Sequence, residues 1–173
     1  LTGAADGGTI GSAKNYENFE LILDWKTEGE AAMGIRSIPQ IALGGKNSGA
    51  LTGNMLHDNA APKAAANGPQ EWNTMQVKVV SDRVTVVLNG VTTAENVILE
   101  NACNREIPAY AEGQILLIAG NAPLNVREMY IRELPATPRF ELSEEEAADG
   151  FEVLFHGTVL HHWNGNLTNY VPV

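Results

Sequence analysis

The fold of this chain is decided by one stretch, Phe19-Glu20-Leu21-Ile22-Leu23-Asp24-Trp25. Every second residue in it is large and apolar, and side chains two positions apart lie on the same face of an extended strand. The stretch therefore predicts a β-strand with one buried face. Because Trp25 shares that face with Phe19 and Leu21, core packing is favoured for it over ligand binding.

Further strands follow from the same alternation. We expect them at residues 75–79, 83–88, 114–118 and 126–134, where β-branched and other apolar residues recur. Asn89-Gly90, directly after the second of these, is typical of a type I′ turn, whose two central residues need positive φ. We therefore expect a tight antiparallel hairpin that continues into Val91-Thr92-Thr93.

Helix signals are scarce in this sequence. The one clear signal is Ser143-Glu144-Glu145-Glu146, a capping box in which the Ser143 and Glu146 side chains bond each other's backbone amides, and the helix should end near Gly150. Many short strands and almost no helix predict an all-β fold, an antiparallel β-sandwich of the jelly-roll type. A closed barrel is the alternative that the sequence leaves open.

Composition narrows the class of protein. A length of 173 residues fits one domain, and 44% hydrophobic with 18% charged residues is typical of a folded globular chain. The net charge of −10 and the lack of a basic stripe argue against nucleic acid as a partner. No apolar run is long enough to predict a membrane span, and no signal peptide is visible. The lone Cys103 cannot form an internal disulfide, so the fold must depend on packing.

Seven segments carry a family resemblance, in this order along the chain: residues 16–25, Gly34-Ile35-Arg36, Pro39-Gln40-Ile41, residues 47–51, Glu71-Trp72-Asn73, residues 86–90 and residues 127–134. Together they resemble the 3-keto-disaccharide hydrolase domain family, glycosyl hydrolases with a concanavalin A-like lectin/glucanase fold. The resemblance implies a carbohydrate-active domain, a glycoside hydrolase acting on 3-keto-glycosides or related glycans. It also implies a location in the periplasm, at the cell surface or outside the cell.

The two ends of the chain suggest a division into parts. Residues 150–163 contain Gly150-Phe151 and later Trp163, and they resemble the opening of the same kind of domain. Residues 1–140 are then expected to be a sandwich without its N-terminal strands, residues 141–149 an acidic helical linker, and residues 150–173 the first strands of a following tandem domain. Those strands are expected to complete the sandwich, either within their own chain or by strand exchange in a homodimer.

A concave face that binds sugars uses aromatic rings together with carboxylates and amides. The resemblance and the residue types give one set of candidate substrate-binding residues: Arg36, Gln40, Asp58, Glu71 and Trp72. Each has a simpler interpretation. Trp72 and its neighbours could close a loop by local hydrogen bonds, Arg36 is as readily a surface residue as a groove residue, and Arg127 on the last strand is favoured as an internal ion-pair partner.

Catalytic residues cannot be assigned from the sequence. Ordinary glycoside cleavage needs two carboxyl groups roughly 5–9.5 Å apart, and the sequence displays no such pair. Cleavage of a 3-keto sugar needs less, namely a base for the proton beside the ketone and a donor or metal that stabilises the enolate. Where the family often places acidic, amide and histidine side chains, this chain has Ala42 to Gly45 and Ala119-Gly120. A noncatalytic carbohydrate-binding module or a structural repeat of a larger cell-envelope protein therefore remains an alternative.

Metal or cofactor binding is not predicted. His156, His161 and His162 are the residue type that binds zinc or iron, but adjacent residues of a strand point to opposite faces, so His161 and His162 do not form a joint site on regular backbone. His57-Asp58 is read as an exposed turn in preference to an acid–base pair.

Overall fold

The computed structural model describes residues 2–3, 7–52, 65–101, 103–104, 106–155, 160, 163–165 and 170. Within these ranges the elements follow one another as β1 (Thr2–Gly3), β2 (Thr9–Gly11), β3 (Phe19–Lys26), β4 (Ala31–Gly34), β5 (Gln40–Leu43), β6 (Leu51–Thr52), β7 (Asn73–Val80), β8 (Arg83–Leu88), β9 (Val91–Ile98), β10 (Leu116–Ala119), β11 (Leu124–Glu133) and α1 (Glu144–Ala148).

Six of these strands form one antiparallel sheet in the order β1-β11-β3-β7-β8-β9. The alternating residues 19–25 lie in β3, which pairs with β7 from Phe19↔Val79 to Trp25↔Asn73 and with β11 on its other side. Its four alternating apolar side chains are at most 1% exposed. The predicted strand and its buried face are therefore confirmed, and Trp25 is a core residue.

The other five strands form a second antiparallel sheet in the order β2-β10-β4-β5-β6. Met33 on β4 pairs with Ile41 on β5 and with Leu117 on β10, and all three side chains are buried in the same apolar cluster as the inner face of β3. The two sheets thus pack face to face around one core. The predicted antiparallel β-sandwich is confirmed.

The local turn and cap signals also have the predicted structure. Asn89 and Gly90 both have positive φ, 49° and 81°, between β8 and β9. In α1 the Ser143 hydroxyl accepts a bond from the Glu146 amide while the Glu146 carboxylate accepts from the Ser143 amide, and Gly150 follows with φ of 86°. This helix of five residues is the only one in the described part of the chain, and no helix there could span a membrane.

The segment after α1 contributes no strand in its described residues. Its large apolar side chains are exposed to solvent: Phe151 by 64%, Leu154 by 62% and Trp163 by 45%. The Trp163 indole N–H donates to the Leu154 carbonyl at 2.7 Å. The division of the chain into parts, with this segment completing a sandwich, stays a prediction.

Candidate functional site

The outer face of the five-stranded sheet carries an open groove of about 760 Å³. Its floor follows from the strand register, because residues opposite each other on neighbouring strands point to the same face. Ile118, Ala32 and Ala42 form one such row across β10, β4 and β5. The small side chains of Ala32 and Ala42 leave room for the groove above β4 and β5.

A second row on the same face supplies polar groups. Gly34 lies opposite Gln40, and Gln40 lies opposite Thr52 on β6. The Thr52 hydroxyl donates to the Gln40 carbonyl at 3.3 Å. Gln40 and Thr52 both line the groove, so an amide and a hydroxyl stand at its edge beside the apolar floor.

Loops from three parts of the chain form the rim of the groove. The turn between β3 and β4 contributes Glu28 and Glu30, the loop between β5 and β6 contributes Lys46 and Asn47, and the turn between β10 and β11 contributes Asn121. The rim therefore carries two carboxylates, one ammonium group and two amides. These groups can bond sugar hydroxyls, and a carboxylate with an ammonium group can also move and stabilise charge.

Glycines hold these rim loops close together. A Cβ on Gly120 would lie 2.2 Å from the Glu30 carbonyl oxygen, and a Cβ on Gly44 would lie 2.2 Å from the Gly29 carbonyl oxygen. The Glu30 amide donates to the Asn121 side chain at 2.9 Å, and Glu30 Cγ lies 3.5 Å from where a Cβ on Gly45 would be. The Glu30 side chain is thus positioned against the loop that carries Lys46.

A second, smaller pocket of about 220 Å³ adjoins the β3–β4 turn. Glu28 lines both this pocket and the groove. The smaller pocket is also lined by Lys26, Gln70 and Asn125. The β3–β4 turn at Glu28 therefore borders both depressions.

Arg36, a predicted substrate-binding residue, has an internal role in the structure. It is 2% exposed, and its guanidinium donates to the Glu17 carbonyl, to the Tyr110 carbonyl at 3.2 Å and to Asn18 Oδ1 at 3.3 Å. Burial lowers the pKa of Arg36 to about 10, so the group stays protonated at neutral pH. These hydrogen bonds connect Arg36 to two other loops of the protein. They do not support the predicted contact between Arg36 and sugar, which stays a prediction.

Glu71 and Trp72, also predicted to bind substrate, lie directly before β7 and do not line the groove. The Glu71 carboxylate accepts from the Gly68 amide at 3.1 Å and the Trp72 carbonyl accepts from the Asn67 side chain at 2.9 Å. The Trp72 ring is covered by the Arg127 guanidinium, 4.0 Å from its centroid. The loop-closing interpretation fits these contacts. The ion-pair role expected of Arg127 is also present, with Asp24 at 3.3 Å.

Gln40 is the one predicted substrate-binding residue, among those the structure describes, that lines the groove. Asp58 lies outside the described residues, as do His57, His156, His161 and His162. Among the described residues there is no group of three His, Cys, Asp or Glu side chains that could hold a metal ion.

Most groove residues were not identified from the sequence. Glu30, Lys46, Asn47 and Asn121 come from three separate turns, and no local pattern links those turns. The one available signal was the length and polarity of the loop at residues 44–53, since long loops often carry function. Which face of the five-stranded sheet would carry the groove was not visible in the sequence.

Comparisons with known proteins agree with this architecture. The family model described as the 3-keto-alpha-glucoside-1,2-lyase-like domain matches residues 1–132. Two crystal structures of putative glycosyl hydrolases from Parabacteroides distasonis ATCC 8503 are similar in fold. One has a TM-score of 0.58 and 22% identity over 75% of this chain and 84% of its own. The other has a TM-score of 0.61 and 17% identity over 78% and 80%.

A third solved structure, the carbohydrate-binding module CBM66 from Bacillus subtilis, has a TM-score of 0.51 and 15% identity over 76% of this chain and 86% of its own. At such identities the similarity concerns the fold alone, and it agrees with the predicted concanavalin A-like sandwich. No curated protein matches the chain.

Proposed function

The chain belongs to the 3-keto-alpha-glucoside-1,2-lyase-like domain family, and from that premise we propose that its groove binds a 3-keto-glucoside or a related glycan and cleaves it by elimination. The domain is carbohydrate-active by family. The finer proposal, cleavage in this groove, is supported by a carboxylate and an ammonium group on the same rim, Glu30 and Lys46. The groove volume of about 760 Å³ lies within the range of small-molecule sites.

The proposed reaction begins at the carbon next to the ketone. A carbonyl at C3 makes the proton on C2 acidic, and the Glu30 carboxylate removes it. The C2–H electron pair passes first into the enolate and then into a double bond between C1 and C2, while the C1–O bond breaks. The leaving oxygen takes the proton back from Glu30 and departs as an alcohol. Every atom is thus accounted for without water or an oxidant.

Lys46 has the complementary role in this proposal. Negative charge develops on the C3 oxygen when the C2 proton leaves, and a positioned cation or amide donor stabilises that oxyanion. The Lys46 ammonium group supplies the charge, and the Asn47 and Asn121 amides on the same rim supply further donors. Gln40 and Thr52 are suited to bind hydroxyl groups farther along the sheet.

A noncatalytic carbohydrate-binding module is the second candidate. It is favoured by the floor of the groove, where Ala32, Ala42 and Ile118 offer no chemically reactive group. In this case the same rim would bind a glycan without cleaving it. Placement of the domain in the periplasm or at the cell surface stays a prediction from the family resemblance.

The two candidates are separated by incubating the intact chain with methyl 3-keto-α-glucoside and following methanol release by NMR, with calorimetry for binding. If the domain catalyses elimination, methanol is released. Glu30→Gln should then lower the rate of release by roughly 10²-fold or more, because loss of a general base typically has that effect, while binding of the glucoside is retained. Glu128→Gln, on the exposed part of β11, is the matched control and should leave the rate unchanged.

Saturable binding without methanol release would reject the elimination and support the binding module. Neither binding nor release, with this and with longer 3-keto-glucosides, would reject the groove as a saccharide site.

A further inference from the structure

The smaller pocket beside the β3–β4 turn belongs to the six-stranded sheet, whereas the groove belongs to the five-stranded sheet. Asn125 of β11 lies opposite Lys26 of β3, and both residues line the pocket. Lys26 follows the buried Trp25 along the strand, so its side chain points to the outer face. Because β1 pairs with β11 at Leu124 and Asn125, a described strand borders the sheet at this end.

The Trp72 ring holds two cations at this end of the sheet. The Arg127 guanidinium lies 4.0 Å and the Lys26 ammonium group 5.0 Å from the centroid of the ring, within the range of cation–π attraction. Arg127 is also neutralised by Asp24 at 3.3 Å. Lys26 forms no ion pair with a residue that the structure describes. The ring therefore positions the Lys26 charge beside the pocket without neutralising it.

Gln70, on the wall of the pocket, has a strained backbone. Its φ is 65°, in the left-handed region that costs conformational energy for a residue with a Cβ. Its side chain is exposed, and the hydrogen bonds that close this loop are made by Glu71 and by the Trp72 carbonyl instead. Strain of this kind is concentrated at ligand-binding sites. The position thus favours a role for the Gln70 amide outside the loop itself.

The polar groups of the pocket match hydroxyl groups. Lys26, Gln70 and Asn125 carry N–H donors, while Glu28 and the Gln70 carbonyl are acceptors. The Asn125 carbonyl oxygen already accepts from the Thr2 hydroxyl at 2.9 Å, which leaves the Asn125 NH₂ group for a ligand. A sugar hydroxyl both donates and accepts, and the charges of Lys26 and Glu28 cancel. The pocket therefore suits a neutral polyhydroxyl ligand.

The size of the pocket suits one sugar unit. Its volume of about 220 Å³ lies below the range of about 300–1,000 Å³ that is typical of sites for drug-sized ligands. The turn that carries Glu28 is fixed before any ligand arrives, because the Gly29 amide donates to the Thr27 hydroxyl at 3.2 Å and the Glu30 amide to Asn121 at 2.9 Å. The walls are thus formed in the free protein.

We propose that this pocket is a second saccharide-binding site, separate from the groove, that takes one neutral hexose unit of a glycan. Lys26, Gln70 and Asn125 donate to the hydroxyl groups and Glu28 accepts from them. Trp72 is a positioning residue, because it acts through the Lys26 ammonium group. Membership of a carbohydrate-active family supports sugar as the ligand, and the site does not depend on elimination in the groove.

An NMR titration of the unaltered, ¹⁵N-labelled chain tests the site. The probe is kojibiose, a neutral α-1,2-linked glucose disaccharide without a ketone. The side-chain amide signals of Gln70 and Asn125 should shift saturably. The corresponding signals of Asn47 and Asn121 report the groove, so a failure of the second site is distinguished from a failure of the groove.

Two variants measure the contribution of the pocket. Lys26→Met should weaken the binding that shifts the Asn125 signal by about tenfold or more, the loss typical of a charged hydrogen bond. Gln70→Gly should weaken it by roughly threefold or more, as for a neutral hydrogen bond. Lys78→Met is the matched control, since Lys78 is a lysine of β7 that lies 3.6 Å from Glu20, away from the pocket, and it should leave the affinity unchanged.

Gln70→Gly has a second readout that a structural role alone would not give. Glycine adopts a φ of 65° without strain, so the Tm should not fall although the affinity does. Ser81→Gly, at another residue with positive φ, 55°, is the control and should leave the affinity unchanged. A Gln70→Gly protein with a lower Tm and unchanged affinity would overturn the proposal. So would a lack of saturable shifts at Gln70 and Asn125 up to the solubility of kojibiose, or shifts that Lys26→Met leaves unaltered.

Discussion

At the residue scale, Arg36 shows how a side chain's role depends on its backbone. From the sequence, a groove position and a surface position were equally consistent with this residue. In the structure Arg36 has φ of 50° and Ser37 has φ of 74°, values that few residues other than glycine adopt. The guanidinium is buried against carbonyls of Glu17 and Tyr110, which are remote in sequence, so no local pattern could have placed it there.

We expect Arg36→Met to lower the free energy of unfolding by roughly 3 kcal/mol, because buried carbonyls would lose charged hydrogen-bond donors. Urea denaturation measures the effect. Arg139→Met is the matched control, since Arg139 is half exposed and only 3.7 Å from Glu17, and it should cost under about 1 kcal/mol. Equal losses in the two variants would contradict the internal role of Arg36.

At the scale of elements, the rim of the groove depends on contact between turns. The turns that follow β3, β5 and β10 approach one another backbone to backbone at Gly29, Gly44 and Gly120. No side chain fits between them, because a Cβ at Gly120 would overlap the Glu30 carbonyl. These glycines thereby fix the separation of the rim groups on which the proposed chemistry depends.

Gly120→Ala should therefore both destabilise the fold and disturb the groove. We expect a loss of about 1–3 kcal/mol, typical of inserting a methyl group into a packed site, together with weaker saccharide binding by calorimetry. Gly8→Ala is the control, since a Cβ there meets no atom within 4 Å. A Gly120→Ala protein with unchanged stability and affinity would show that the three turns do not form a rigid rim.

At the scale of the whole molecule, the segment after residue 140 is the part whose role is still a prediction. The sequence suggests a linker and the first strands of a further domain. The large apolar side chains of Phe151, Leu154 and Trp163 are exposed in this segment, and the division of the chain into domains stays a prediction.

If the segment pairs between copies, the Tm of the full chain should rise with protein concentration, because association stabilises the folded state by mass action. A chain ending at residue 140 should melt lower, with a Tm that does not depend on concentration. Calorimetry at several concentrations measures both. An unchanged Tm after the deletion would reject any role of the segment in completing the sandwich.

Local sequence patterns were sufficient to predict the strands whose alternation is long, namely β3, β7, β8 and β11, together with the hairpin at Asn89-Gly90 and the cap at Ser143. These depend on neighbours within a few positions, where side-chain period and turn chemistry act locally. Four short strands of two to four residues were not predicted, namely β1, β2, β4 and β6. So few residues cannot show the alternation of apolar and polar side chains that identifies a strand.

Which residues come into contact depends on how distant strands pair, and that was known from the folded chain alone. Sheet order brings Glu30, Lys46 and Asn121 to one rim although they are far apart in sequence. It also places the Arg127 guanidinium over the Trp72 ring and buries Arg36 in the interior. Gln40 was predicted because it is a polar residue in Pro39-Gln40-Ile41, one of the segments that carry the family resemblance. The physical reason is that a groove is built from turns of different strands, and the pairing that joins those strands is a long-range property of the folded chain.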